Sequence, residues 1–154
     1  MVACLIRSAF IGDKESLAEM RALLWPGSSS EELLMELEAS LGPHASGVLP
    51  STTFVAQSDD GALIGFLETG LRSHADGCDT ARPVGFVEAW FVRAEFRNQG
   101  VGSELMRAAE AWARSQGCRE MGSDALIDND TSVNAHQALG FEVVDRCVHF
   151  RKNL

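Results

Sequence analysis

The segment best suited to ligand chemistry joins an apolar run to a helix-like stretch through two closely spaced glycines. It reads Arg97-Asn98-Gln99-Gly100-Val101-Gly102-Ser103 and follows an apolar run over residues 84–92. The free amides of a first helical turn carry partial positive charge, and glycine lets a ligand approach the backbone closely. The segment therefore predicts an anion site, most simply for phosphate. An ordinary strand-to-helix turn is the alternative.

Two carboxylates stand where a binding or acid–base group is expected. Glu88 interrupts the apolar run, and a carboxylate in that setting needs a cationic partner or an opening to solvent. Asp124 ends a later strand-like segment, a place where open sheets tend to hold ligand groups. A bound ammonium group would supply a partner for Glu88. The alternatives are an arginine of the protein as the partner of Glu88 and a turn or helix-capping role for Asp124.

The charge balance limits the classes of ligand. The chain has 13 Lys and Arg against 22 Asp and Glu, a net charge of -9, and no basic run longer than Arg151-Lys152. Nucleic-acid surfaces depend on clustered basic residues, so nucleic acid is excluded as a partner. An acidic field attracts cations instead, although an acidic surplus can also serve solubility alone.

The four cysteines, Cys4, Cys78, Cys118 and Cys147, lie far apart and form no CxxC pair. Zinc and thioredoxin-type redox sites are therefore not predicted, no metal is expected, and the cysteines should be reduced. The N-terminus lacks the basic start of a secretion signal, and no apolar run is long enough to span a bilayer. These features predict a cytoplasmic protein without a membrane partner.

Length and periodicity predict the elements that position these residues. A chain of 154 residues with 45% hydrophobic residues suits one domain over residues 1–154, of the α+β class. Helices are predicted from an Asp13 cap to residue 24, from a serine cap at 28–30 to residue 41, over 100–116 and over 130–139. Trp25-Pro26-Gly27 and Gly42-Pro43 should end the first two. Strands are predicted over 3–11, 52–57, 62–72, 84–92 and 118–125, with a closing antiparallel pair at 141–145 and 147–152.

Two motifs at these elements resemble those of one enzyme family. Arg97-x-x-Gly100-x-Gly102 after a buried strand resembles the pyrophosphate loop of the GCN5-related N-acetyltransferases. Asn129-x-x-Ser132-x-x-x-His136-x-x-Leu139-Gly140-Phe141 resembles that family's second cofactor motif, in which Tyr commonly occupies the position of His136. The resemblance implies that family's fold, with a mixed, mostly antiparallel sheet flanked by about four helices, acetyl-CoA as cosubstrate and a homodimer. It also implies cofactor contacts from Trp90, Phe91, Val92, Arg97, Asn98, Gln99, Gly100, Val101, Gly102, Ser103 and Asn129.

Within that family the chain is similar to aminoglycoside 6'-N-acetyltransferases at residues 24–27, 87–92, 123–125, 128–129 and 136–141. This implies direct transfer of acetyl to the 6'-amine of an aminoglycoside in a ternary complex. The implied substrate contacts are Trp25, His74, Glu88, Asp124 and Asp145, with Glu88, Asp124 and His136 as the catalytic set. His136 would protonate the leaving thiolate or would only pack. Acetyltransferases of polyamines or other small amines, and noncatalytic acyl-CoA-binding modules, remain the alternatives.

Overall fold

The computed structural model describes residues 1–42 and 49–154. It has the predicted α+β architecture, with four α-helices and one five-stranded sheet. The elements in chain order are β1 (Cys4–Ser8), a short 3-10 helix (Ile11–Asp13), α1 (Lys14–Leu24), α2 (Ser30–Leu41), β2 (Ser51–Ser58), β3 (Leu63–Arg72), β4 (Val84–Val92), a second 3-10 helix (Ala94–Phe96), α3 (Val101–Ser115), β5 (Met121–Ser123) and α4 (Asp130–Ala138).

The sheet has the order β1-β2-β3-β4-β5 and opens at one end. Its first four strands pair antiparallel, and β4 pairs with β5 in parallel. That parallel pairing joins only Gly85–Val87 to Met121–Ser123, although β4 continues to Val92. From Glu88 onward, no described strand lies beside β4 on that edge. The two strands therefore part, and backbone groups along the end of β4 face an opening.

The two faces of the sheet are covered by different helices. On one face, α1 and α2 pack Leu17, Met20 and Leu37 against Phe66 of β3. On the other face, the apolar stripe of α3 buries Val101, Leu105, Met106 and Ala109 against the neighbouring strand residues. The side chains of a strand alternate between faces, so one strand supplies both cores.

Buried ion pairs hold the first helix in place. The Arg7 guanidinium donates to both carboxylate oxygens of Asp13, at 2.7 and 2.8 Å, and Asp13 is only 6% exposed. Hydrogen bonding from Arg7 lowers the pKa of the Asp13 carboxyl. Asp13 is the N-cap residue of α1, as predicted, but its carboxylate makes no capping bond to that helix and accepts instead from Arg7 and the Phe10 amide. Farther along α1, the Arg21 Nε donates to Glu68 on β3 at 2.7 Å.

The predicted closing strand pair at 141–145 and 147–152 is wrong. These residues form no strand in the structure, and residues 142–154 are exposed along their whole length. Cys147, expected inside one of those strands, lies in this segment, and Cys118 precedes the shorter β5. The alternating apolar residues fit a strand, but a strand also needs a partner edge, which the alternation cannot specify. The first strand is likewise shorter than predicted, and Pro43 lies outside the described residues.

All four cysteines are free. In the two described ranges, no helix combines the length and apolar character needed to cross a bilayer.

Candidate active site

Glu88 sits on a β-bulge in the pairing of β3 with β4. In the pairing of β3 with β4, Glu68 lies opposite Ala89 and Thr69 lies opposite Val87, which leaves Glu88 as an extra residue. The Thr69 hydroxyl, itself buried, donates to the carbonyl oxygen of Phe86 at 2.9 Å beside the irregularity. A bulge can re-aim one side chain of a strand. It accounts for an exposed carboxylate between the buried residues Val87 and Ala89.

The second carboxylate lies beside the first. Val87 of β4 is paired with Ser123, the last residue of β5, in parallel register. The next residues, Glu88 and Asp124, therefore occupy neighbouring positions on adjacent strands, and both are exposed. The sequence placed Asp124 at a strand end, and the register adds that the two acids stand together at the point where the strands part.

Glu88 is paired with an arginine that sequence reasoning did not identify. Arg72, the last residue of β3, donates from Nε and Nη2 to the two oxygens of Glu88 at 2.9 and 2.7 Å. Its guanidinium carbon lies 3.5 Å from the centroid of the Phe86 ring. Hydrogen bonding to Glu88 raises the pKa of Arg72, and the negative charge of Asp124 adds to that effect. An arginine partner was one of the two possibilities open for Glu88, and the structure shows it.

The predicted anion loop has the backbone geometry of a helix N-terminal binding site. Gly100 is the N-cap of α3 and has a φ of 91°, a left-handed conformation that favours glycine. No side chain of the described residues caps this end, so the first-turn amides of α3 are available to a ligand. Asn98 also has a positive φ, of 58°. Arg97 holds the loop against β4, because its Nε donates to the carbonyl oxygen of Val92 at 2.9 Å.

The floor of the opening is tightly built around Trp90. An added Cβ at Gly102 would lie 3.0 Å from the Trp90 ring, so only glycine leaves this approach clear. The indole Nε1 of Trp90 is buried and has no hydrogen-bond partner among the described residues. An N–H donor without a partner, next to a helix end rich in free amides, suits a ligand that carries acceptor oxygens. These residues fit the phosphates and amide arm of coenzyme A.

His136 joins α4 to β5 through both ring nitrogens. Nδ1 lies 2.7 Å from the carbonyl oxygen of Ser132, which can only accept, so Nδ1 carries a proton. Nε2 lies 2.7 Å from the Ser123 hydroxyl, which donates to it when the ring is neutral. The ring also makes edge contacts with Trp90 and Phe141, each at 5.2 Å between centroids. The contacts of His136 are therefore those of a packed, hydrogen-bonded side chain.

The other predicted ligand residues make their own local contacts, and no side-chain hydrogen bond within the described residues joins them to Glu88 or Asp124. Asn129 is the N-cap of α4, and its side-chain oxygen accepts from the Ser132 amide at 3.1 Å. Trp25 ends α1, is 39% exposed, and stands 5.9 Å from the Arg21 guanidinium. His74 is exposed and lies 3.6 Å from Asp76. Asp145 accepts from its neighbouring amide in the C-terminal segment and makes no other side-chain hydrogen bond within the described chain.

One contact links the loop after His74 to the C-terminal segment. A Cβ built on Gly77 would lie within 2.6 Å of the Val144 side chain, so that side chain rests directly on the loop after His74. The structure thus brings the His74 loop close to the segment that holds Asp145, but it places no hydrogen bond between their side chains.

Comparison with known proteins agrees with this geometry. The model of the acetyltransferase (GNAT) family matches residues 15–141. An aminoglycoside N(6')-acetyltransferase type 1 of Stenotrophomonas maltophilia is 38% identical over 150 residues, which cover 97% of this chain and 93% of the relative. A type 1 enzyme of Klebsiella aerogenes is 37% identical and is covered over 97% of its length, as is this chain.

A solved structure shows the same fold over the whole length. The structure of AAC(6')-Iy with the bisubstrate analog CoA-S-monomethyl-acetylneamine has a TM-score of 0.87 and 35% identity, and 99% of each chain is covered. The matched region contains both cofactor motifs, the bulge and the parting strands. The chain therefore belongs to the acetyltransferase (GNAT) family.

Proposed function

We propose that this chain is an acetyl-CoA-dependent N-acetyltransferase that modifies the 6'-amine of aminoglycosides and so confers antibiotic resistance. The observation that carries the proposal is that one opening contains both a site suited to an anion and a site suited to a cation. An uncapped helix N-terminus suits a polyanion, and the neighbouring carboxylates of Glu88 and Asp124 suit a cationic amine. The curated relatives bear the name of this activity, and one solved structure holds a bisubstrate analog of the two substrates.

Coenzyme A supplies an activated acetyl group. The cofactor-facing residues are the end of β4, with Trp90, Phe91 and Val92, the loop and first turn from Arg97 to Ser103, and Asn129. The amides near Phe91 and Val92 polarise the acetyl carbonyl, because β4 has no strand beside it there. Backbone donors hold the phosphates at Gly100–Gly102.

The acceptor amine arrives charged and must lose a proton before it attacks. Glu88 and Asp124 orient the ammonium group, and Asp124 accepts its proton directly or through a water molecule. Trp25, His74 and Asp145 surround the acceptor from the edges of the opening. The His136 ring holds β5 and α4 beside Trp90, and Ser132 and Ser123 engage both of its nitrogens, so water donates the proton to the leaving thiolate.

Direct transfer in a ternary complex requires no protein nucleophile. Burial is the main cause that raises the pKa of the Cys4, Cys78 and Cys118 thiols, which leaves less of the reactive thiolate. Cys147 lies in the exposed C-terminal segment. None of the four lies on β4 or on the glycine loop, and this supports direct attack by the amine. Free cysteines also support the proposed cytoplasmic location, since reduced thiols persist there.

A thiol-release assay with acetyl-CoA tests the activity and the acceptor class together. Kanamycin, spermidine and free amino acids are compared at equal concentration, with mass spectrometry or NMR to locate the acetyl group. Release with kanamycin and acetylation at its 6'-amine are expected. Preference for spermidine would instead identify a polyamine acetyltransferase, and release with none of the acceptors would contradict the proposal.

The functional unit proposed here is a homodimer, and the C-terminal segment supports it. Residues 142–154 expose an alternating apolar set that includes Val144, Val148 and Phe150, the last 93% exposed. The free edge of β5 borders a cavity of about 400 Å³ lined by the 76–78 loop, α3 and the start of this segment. In a dimer, the exposed C-terminal segment of one chain is complementary to the open β5 edge of the second copy.

Phe150→Asp tests the dimer, with Met35→Asp as the control at an exposed apolar residue on α2. Light scattering should show a dimeric wild type and control but a monomeric Phe150→Asp variant. A wild type that stays monomeric at all concentrations would contradict this assembly.

A further inference from the structure

The protein's own cation occupies the acceptor side of the opening. Arg72 forms a two-point pair with Glu88, and its guanidinium is also within the electrostatic influence of Asp124. These are the carboxylates to which the proposed function assigns the substrate ammonium. An incoming amine therefore meets a site in which Arg72 already neutralises one of the two negative charges, and the inference that follows rests on that proposed function.

The Arg72–Glu88 pair is more exposed to solvent than two other arginine–carboxylate pairs of this protein. In the Arg7–Asp13 pair the side chains are 22% and 6% exposed, and in the Arg21–Glu68 pair they are 10% and 13% exposed. In the Arg72–Glu88 pair both are 42% exposed. Water reaches this last pair, and exposed ion pairs contribute little to stability. The Arg72–Glu88 pair can therefore separate without unfolding the chain. The Arg7–Asp13 and Arg21–Glu68 pairs cannot exchange partners without exposing buried charge.

The Phe86 ring keeps the guanidinium close when the pair is open. The guanidinium carbon lies 3.5 Å from the ring centroid, and Phe86 is itself buried on β4. A cation held in this way, at the end of β3, competes at high effective concentration for Glu88. One ammonium group from solution is a weak competitor against such a tethered cation. A ligand with several ammonium groups gains further contacts with an acidic surface and competes better.

We propose that Arg72 is a specificity-determining residue, which holds the place of the acceptor ammonium at Glu88 and so favours polycationic acceptors over monoamines. The acceptor displaces the guanidinium from Glu88 during binding. Arg72 takes no part in the transfer itself. Removal of its charge should therefore help a monoamine more than it helps a polyamine.

Arg72→Gln tests this with two acceptors that share a reacting group. Kanamycin A contains a 6-amino-6-deoxyglucose ring, and free 6-amino-6-deoxyglucose presents that same amine with a single charge. In Arg72→Gln we expect kcat/KM for the monoamine to rise about fivefold, the effect of losing one exposed ion pair, and that for kanamycin to rise about twofold or less. The change should appear in KM, with kcat nearly constant. Arg72→Lys keeps the charge but cannot form the two-point pair. Its kcat/KM for the monoamine should therefore lie between the values of the wild type and of Arg72→Gln.

Arg107→Gln is the matched control. It removes the same charge from an exposed arginine on α3 that pairs with Glu104, remote from β3 in sequence and outside the proposed acceptor, cofactor and dimer residues. Its selectivity ratio should equal that of the wild type. An unchanged ratio in Arg72→Gln, or a KM that rises for both acceptors, would overturn the proposal and make Arg72 a support for Glu88.

Calorimetric binding of both acceptors separates this inference from the proposed function. If the wild type acetylates neither acceptor, the proposed function fails, and the affinities still report whether Arg72 competes. If the wild type acetylates kanamycin and the affinity ratio is the same in both proteins, the role of Arg72 alone fails. A wild-type preference for kanamycin that shrinks in Arg72→Gln supports both.

Discussion

The two sides of the opening present different kinds of chemical group to a ligand. The proposed cofactor side consists of backbone groups, namely the end of β4, which has no described strand on its β5 edge, and the N-terminus of α3, with glycines that keep the approach clear. The proposed acceptor side consists of exposed charged side chains, namely Glu88, Asp124 and Arg72. Backbone donors are fixed by the fold and suit a constant ligand. Side chains on a bulge and at strand ends can be replaced without altering the sheet.

This difference predicts which substitutions separate binding of one substrate from that of the other. A change on the cofactor side should alter acetyl-CoA affinity by shape, and a change on the acceptor side should alter turnover by charge.

The largest effect is expected at Asp124. Asn has nearly the same shape but cannot accept a proton as the carboxylate does, so Asp124→Asn should reduce kcat/KM by about 10²-fold, as is usual for positioned acid–base groups. Because Asp124 is exposed, the melting temperature should change little. Steady-state kinetics with kanamycin and acetyl-CoA, together with calorimetry, measure both.

Asp59→Asn is the control for that change. It removes the same charge from an exposed residue in the turn between β2 and β3. It should leave kcat/KM near the wild-type value, so any loss at Asp124 is local. Wild-type kcat/KM in Asp124→Asn at neutral pH would show that the proposed role is wrong and would leave Glu88 as the proton acceptor.

The second effect concerns the cofactor side and uses the two glycines that bound α3. Gly100 and Gly117 have positive φ angles of 91° and 85°, so valine is strained at either position. Only Gly100 lies at the proposed phosphate site. Gly100→Val should weaken acetyl-CoA binding at least about tenfold, because the side chain obstructs approach to the first-turn amides, with aminoglycoside affinity nearly intact.

Gly117→Val provides the matched comparison. Both variants should lose some thermal stability from backbone strain, by similar amounts. In calorimetric titrations, Gly117→Val should bind acetyl-CoA as the wild type does. Equal acetyl-CoA affinity in folded Gly100→Val and wild type would remove the assignment of this loop.

The third effect is smaller and concerns His136, which lies between the two sides. Its ring is held by Ser123 and Ser132 and packs on Trp90 and Phe141. His136→Ala should therefore lower the melting temperature and reduce kcat by less than about tenfold, below the effect of most positioned general acids. The shape of the kcat–pH profile should stay the same. A larger loss, accompanied by loss of the alkaline limb, would show that the ring donates the proton.

The sequence predicted the cofactor side in more detail than the acceptor side, and the reason is local geometry. The turn into α3 is a continuous segment whose glycines and helical spacing can be read directly, and β4 was predicted with the bounds that it has in the structure, Val84–Val92. Glu88 was recognised as an interruption of an apolar strand. Its bulge and its place beside Asp124 depend on strand register, which no local pattern contains.

Arg72 and the C-terminal segment were missed for related reasons. The pairing of Arg72 with Glu88 follows from how β3 returns against β4 after the intervening loop, and the length of a loop does not fix that register. Residues 141–152 alternate as strands do, but alternation cannot say whether the partner edge belongs to the same chain. Local patterns gave the elements, and contacts between distant elements decided which charges meet.

The smallest effect is a difference in salt dependence between the two substrates. Several ammonium groups approach an acidic chain of net charge -9, so added salt screens their attraction. Raising the ionic strength from about 0.01 to 0.1 M shortens the screening length from about 30 to 10 Å, and KM for kanamycin should rise about threefold. Acetyl-CoA is itself an anion, held mainly by backbone amides, and its KM should stay constant or fall. Kinetics in sodium chloride at fixed pH measure both values.

The Arg72→Gln variant sharpens the result, because its more negative acceptor side should give a steeper rise for kanamycin and no change for acetyl-CoA. Equal salt dependence for the two substrates would contradict an acidic acceptor side.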